Sequence, residues 1–158
     1  MRSQPLLNKR ILLTGATGSL GCETALTLAR MGASLLLPAR NPAKAEALRD
    51  KLLHVCSSDS FRFLPLDMSE ETSVKALVAN LCEDNQPLDA IIHNAGVFTT
   101  AGQTSSQGHE LHHQVNALSP LLLTEGLLPL LKKADEPVVV TVTSLSAFWK
   151  ANGTHDTS

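Results

Sequence analysis

Short apolar runs alternate with longer segments of helical spacing from Arg10 almost to the end of the chain, and few architectures accommodate that rhythm. "RILLTG" (10–15) reads as a buried strand, and "SLGCETALTLARMG" as a helix with Leu20, Thr24, Leu28 and Met31 on one face. "ASLLLPA" is a second strand. In the next helix, "NPAKAEALRDKLLHV", Asn41 suits the N-cap and Pro42 the first helical position. "FRFLPLD" is a third strand, and "SEETSVKALVANLCED" a helix whose 69–72 start carries acids where the helix dipole favours them. "LDAIIHNAG" is a fourth strand, "HELHHQVNALSPLLLTEGLLPLLKK" a long fourth helix with a kink expected at Pro120, and "PVVVTVTS" a fifth strand.

Continuous apolar strands joined by crossover helices imply a parallel sheet covered on both faces, a doubly wound, Rossmann-like α/β fold. Right-handed crossovers and a reversal after the third strand predict the order 3-2-1-4-5. The ligand cleft is then expected at the strand ends carrying Gly15, Arg40, Asp67, Asn94 and Ser144. Residues 1–158 read as a single domain with 149–158 as a flexible tail, since 43% apolar content supplies one sizeable core.

The net charge of -2, without a cluster of Lys and Arg, gives no electrostatic footprint for nucleic acid or an acidic membrane surface. Cys22, Cys56 and Cys82 are odd in number and widely spaced, which suggests neither a disulfide framework nor a zinc site. The N-terminus lacks the apolar core of a signal peptide and no stretch reads as a membrane span, so the expected location is cytoplasmic. His109, His112 and His113 have helical spacing compatible with a metal, but without a converging Cys or acidic cluster they read as a solvated helix start, and no metal is expected.

"LLTGATGSLG" places Gly15, Gly18 and Gly21 between the first strand and first helix. Glycine there lets the backbone turn tightly and approach a pyrophosphate, whose charge meets the N–H groups of the helix N-terminus. A P-loop is disfavoured, because no Lys-Ser or Lys-Thr pair follows Gly21. The second strand ends Leu37, Pro38, Ala39, Arg40, with a guanidinium and no carboxylate. That favours NADP over NAD, because Arg accommodates a 2′-phosphate where an acid would bond the ribose 2′-OH. The alternative is that Arg40 only decorates the helix start.

"TGATGSLG", "LDM" after the third strand, "HNAG" after the fourth, "VN" in the fourth helix and "VTS" ending the fifth strand together resemble the short-chain dehydrogenases/reductases, particularly their retinol-dehydrogenase-like branch. The resemblance spans residues 9–148 and implies an NADP-dependent oxidoreductase of small alcohol or carbonyl substrates. It implies that Gly15, Gly18 and Gly21, with Thr17, Ser19 and Leu20 in the same turn, hold the pyrophosphate. Asp67, with Met68 beside it, would bond the adenine, and Asn94, Ala95 and Gly96 would line the adenine-ribose side. Asn116 would organise a proton-relay water, and Ser144 would polarise the substrate carbonyl. For Asp67 the alternative is a cap on the helix beginning near Ser69, for Asn116 a bond to its own helix, and for Ser144 an ordinary strand-end hydroxyl with Ser146 as competitor.

Ser19 stands where the family's more usual turn has glycine, a spacing like that of its extended and atypical members. His93 stands where an asparagine commonly precedes "NAG", so one sheet-stabilising hydrogen bond is expected to be replaced. The family's Tyr-x-x-x-Lys pair follows the serine on the next helix, and its tyrosine would fall near Thr157; this sequence contains no tyrosine. The resemblance therefore implies a chain supplying the cofactor-binding part and inactive alone, with the family's homodimer or tetramer interface incomplete. Two alternatives stay open: a non-catalytic nucleotide-binding module, or a non-functional truncated product.

Overall fold

The structure, a computed structural model, describes residues 4–98 and 102–143. Five parallel strands, β1 (Arg10–Leu13), β2 (Ser34–Ala39), β3 (Phe61–Pro65), β4 (Ala90–His93) and β5 (Val138–Thr141), form one sheet in the order β3-β2-β1-β4-β5. Register runs through Ile11 opposite Leu35 and Leu12 opposite Ile91. The expected order is the observed one.

Within each apolar strand alternate residues serve opposite layers, which is why the strands read as uninterrupted runs. Leu12, Leu36, Leu64 and Ile91 pack with Val74, Leu77, Leu123 and Leu127 on one face. Ile11, Leu13, Leu35 and Leu37 pack with Ala25, Leu26, Leu48 and Leu52 on the other. The first layer is covered by α3 (Glu71–Asp84) and α5 (Ser119–Leu131), the second by α1 (Ser19–Arg30) and α2 (Pro42–Leu53).

Local chemistry sets the helix boundaries. Asn41 caps α2 as expected, its Oδ1 accepting from the Lys44 backbone N–H at 3.0 Å, with Pro42 in the first turn. α3 begins at Glu71 rather than Ser69, because Asp67 Oδ1 accepts from both the Ser69 N–H at 2.9 Å and the Ser69 hydroxyl at 2.6 Å. That local turn occupies the residues that would have opened the helix. On α1 the buried positions are Gly21, Ala25, Leu26 and Ala29, while Leu20 is 61% exposed. The inner face of α1 is thus mostly small residues, which allow the helix start close approach to the β1 loop.

The expected long fourth helix runs without a break from Leu111 to Leu131, but its winding changes inside it. A short α4 (Leu111–His113) passes into a π turn (Gln114–Leu118) before α5. Pro120 lies in the first turn of α5, and it has no N–H to give the Asn116 carbonyl four residues earlier, so the ordinary helical ladder cannot run through this point. Farther along, Gly126 lets α5 meet α3, since a Cβ there would lie 2.6 Å from Val78 Cγ1. At the far side of the sheet Val138, Val139, Val140 and Val142 are exposed, as are Leu121 and Leu128 of α5. No helix among the described residues is long and apolar enough to cross a membrane.

Candidate functional site

The C-terminal ends of the strands surround a cleft of about 440 Å³. Its lining includes Gly15, Thr17, Gly18, Ser19, Leu20, Gly21, Arg40, Asp67, Met68, Asn94, Ala95 and Gly96, and Val142 after β5, so residues from all five strand ends converge. Ser144 and the 149–158 tail lie outside the described residues.

The glycines of the first turn have different reasons to be glycine. Gly15 has φ +69°, and a Cβ on it would lie 2.7 Å from Ala95 Cα. On Gly21 a Cβ would meet the Gly15 carbonyl oxygen at 2.1 Å. Gly18 is different: its φ is -81° and its nearest obstacle would be the same oxygen at 3.4 Å, an ordinary contact. It is the N-cap of α1, and among the described residues no side chain caps that helix start.

Thr14 and Asn94 lock this turn to β4. The Thr14 hydroxyl oxygen accepts from the Asn94 and Ala95 N–H groups at 3.1 and 3.0 Å, and the Asn94 side-chain amide donates to the Thr14 and Gly15 carbonyls, each at 3.2 Å. Asn94 thereby satisfies two carbonyls that the turn pulls out of the sheet ladder.

Asp67 forms the opposite wall. It does not cap α3; it organises its own turn with Ser69, and Arg40 Nη1 lies 3.7 Å from its Oδ2. Burial would raise the Asp67 pKa, but the Ser69 hydrogen bonds and the Arg40 charge outweigh it and hold the carboxyl below the usual range. The Arg40 side chain is 74% exposed, so this pair is loose and solvent-screened. Lys44, one turn into α2, lines the same corner. Sequence reading missed Lys44, although its place three residues after the Asn41 cap put it at the mouth of that helix.

Asn116 does not bond its own helix. From the π turn its Oδ1 accepts from the Val97 N–H and its Nδ2 donates to the Val97 carbonyl, both at 2.9 Å. Val97 and Val115 line the cleft, and the exposed Asn116 is bonded to the first and follows the second in the chain.

His93 ends β4 and is 3% exposed, its Nε2 2.8 Å from the Thr124 hydroxyl. That hydroxyl donates to the Pro120 carbonyl at 2.9 Å, so the imidazole must be the donor to Thr124. The replacement hydrogen bond therefore runs to α5. Its Nδ1 is buried without a partner among the described residues, and burial pushes the His93 pKa down. The neutral ring is the folded form, while an unfolded histidine protonates near pH 6.5. The contribution of His93 is thus complete above that value and is lost as pH falls from it toward the lower folded pKa. Unfolding free energies of wild type from urea denaturation should fall between pH 7.5 and 5.5 more steeply than those of His93→Asn, by up to about 1.4 kcal/mol over the one unit below pH 6.5. Parallel pH profiles for the two proteins would contradict this assignment.

Among the described residues no group of three or more His, Cys, Asp or Glu is placed to hold a metal ion. His112 instead lies 2.8 Å from Glu110 Oε1 through its Nδ1.

Comparison with known proteins gives a consistent picture. A family model described as short chain dehydrogenase matches residues 9–155. Human polyprenol dehydrogenase is 32% identical over 148 residues, covering 91% of this chain and 45% of that protein. Human retinol dehydrogenase 13 is 31% identical over 138 residues, covering 87% of this chain and 42% of its own. The crystal structure of a short chain dehydrogenase from Escherichia coli CFT073 complexed with NADPH superposes with a TM-score of 0.74 at 31% identity, covering 90% of this chain and 61% of that one. The chain thus spans less than half the length of these two curated relatives.

Proposed function

The chain belongs to the short-chain dehydrogenase family, and from that premise we propose that it supplies the dinucleotide-binding part of an NADP-dependent oxidoreductase of alcohol or carbonyl substrates. The observation that carries this reading is Gly18. Gly15 and Gly21 are demanded by the protein's own packing, whereas at Gly18 the protein leaves room for a side chain and none is there. An uncapped start of a twelve-residue helix beside that opening suits a pyrophosphate, whose oxygens accept from backbone N–H groups and whose charge complements the helix dipole.

In this reading Gly15, Gly18 and Gly21 hold the pyrophosphate, with Thr17, Ser19 and Leu20 around it, and Asp67 and Met68 receive the adenine. Asn94, Ala95 and Gly96 take the adenine-ribose side. Asn116 orders water behind Val97, and Ser144 polarises the substrate carbonyl. The dinucleotide, when bound, supplies or accepts the hydride. Arg40 and Lys44 are two cations at one corner of the cleft, and that pairing supports NADP over NAD.

Arg40→Asp should therefore weaken NADPH binding by roughly tenfold to a hundredfold, the loss of a charge-assisted hydrogen bond worth about 1.5–3 kcal/mol. NADH should change much less, because the new carboxylate repels a phosphate but accepts from a 2′-OH. Fluorescence titration of both dinucleotides against both proteins measures this, and equal losses would remove Arg40 from the 2′ position. A second reading is a nucleotide-binding module without catalysis. Turnover separates the two.

A further inference from the structure

The π turn Gln114–Leu118 and Ser119, which follows it, are hydrogen-bonded to two residues of the cleft lining, Val97 and Met68. On one side Asn116 clamps the Val97 backbone at both its N–H and its carbonyl. On the other, the Ser119 hydroxyl donates to the Met68 carbonyl at 2.6 Å and accepts from Gln114 Nε2 at 3.0 Å. Ser119 has one hydroxyl hydrogen and gives it to Met68, so its oxygen can only accept from Gln114, which fixes the orientation of that amide. Gln114 is 1% exposed and Ser119 is fully buried. The fixed orientation leaves Gln114 Oε1 buried with no partner among the described residues. Leucine would fill that volume without the desolvation cost, so what glutamine adds is the link to Ser119.

We propose that Gln114 and Ser119 are positioning residues that transmit occupancy of the adenine side of the cleft, at Met68, to Asn116 across the π turn. The inference rests on the dinucleotide reading above. Adenine seated beside Asp67 and Met68 fixes the 67–69 turn, and the Met68 carbonyl passes that change through two buried hydrogen bonds to the first residue of the π turn. A π turn is suited to respond, since its extra residue can shift register where a regular α-helix is held by every rung. Asn116 is bonded to Val97 and not to the 67–69 turn, so the hydrogen-bonded link from the adenine side to the π turn runs through Met68, Ser119 and Gln114.

The test is amide NMR of the 158-residue chain titrated with adenosine 2′,5′-bisphosphate, a probe with no nicotinamide. In wild type both the Ser69 backbone amide and the Asn116 side-chain amide should shift. Gln114→Leu and Ser119→Ala should keep the Ser69 shift and lose most of the Asn116 shift. Gln114→Leu also removes the orphaned oxygen, so its melting temperature should hold or rise while the Asn116 response is lost, a combination a purely structural role does not produce. An Asn116 shift that persists in both variants, or is missing from wild type while Ser69 moves, overturns the coupling. Silence at both residues in wild type overturns the dinucleotide reading itself.

Discussion

Gly21→Ala should unfold the domain or nearly so, whereas Gly18→Ala should leave it folded and remove most of its dinucleotide binding. At position 21 the added methyl would lie 2.1 Å from the Gly15 carbonyl oxygen and 2.8 Å from Ala16 Cα, both backbone atoms of a turn already locked by Thr14 and Asn94. Neither obstacle is a flexible side chain that can rotate away. Overpacking a tight site typically costs about 1–3 kcal/mol and more where the backbone cannot move, against a total stability of about 5–15 kcal/mol for a domain. Gly15→Ala should be comparably damaging, since a φ of +69° adds about 1–2 kcal/mol to its own backbone clash. At position 18 the methyl fits and φ is already -81°, leaving only a helix-cap cost of about 1 kcal/mol or less. The same methyl stands where a pyrophosphate would approach α1, so NADPH affinity should fall at least about tenfold, or 1.4 kcal/mol. Urea denaturation and NADPH fluorescence titration on the three variants separate the two effects. A Gly18→Ala protein that binds NADPH like wild type would sink the pyrophosphate placement.

The contrast among these glycines shows what the sequence could disclose. Their position between an apolar run and a helical one marked a ligand turn, because that inference needs only local chemistry. The strand order was legible for the same reason: uninterrupted runs such as "SLLLPA" declare burial on both faces. Helix faces and boundaries were less legible where tertiary contacts decide them. Leu20 of α1 is exposed while its neighbour Gly21 is buried, because the Gly15 carbonyl oxygen and Ala16 leave no room for a side chain there. α3 starts late because Asp67 captures Ser69. The π turn was hidden because its partners are remote: Ser119 reaches Met68 across 51 positions, and no periodicity encodes a hydrogen bond of that separation. Pro120 did mark the disturbance, though as a kink rather than as a turn with an extra residue.

The 158-residue chain should bind NADPH and yet reduce simple ketones and aldehydes no faster than background. Reduction moves a hydride from the dinucleotide to the carbonyl carbon and a proton to the oxygen, so a group that donates that proton to the forming alkoxide is required. The family's donor is a phenol, and this sequence contains no tyrosine. The described residues offer no substitute at the cleft. Asp67 is held in its ionised form by Ser69 and Arg40 and has no proton to give. Arg40 and Lys44 line the cleft with it and are assigned above to the 2′ end of the cofactor. His93 is buried at the end of β4, and its one N–H is committed to Thr124. Asn116 has its side chain bound at both ends to Val97. General acid catalysis typically contributes about 10²–10⁴-fold, so its loss alone places turnover near the uncatalysed rate even with cofactor bound. The measurement is NADPH oxidation at 340 nm with monodisperse protein and a panel of short ketones and aldehydes, run beside a binding titration on the same sample. Binding without turnover is the expected pair of results. Steady turnover abolished by Ser144→Ala would refute it, and would require a proton donor that the cleft residues named above do not supply.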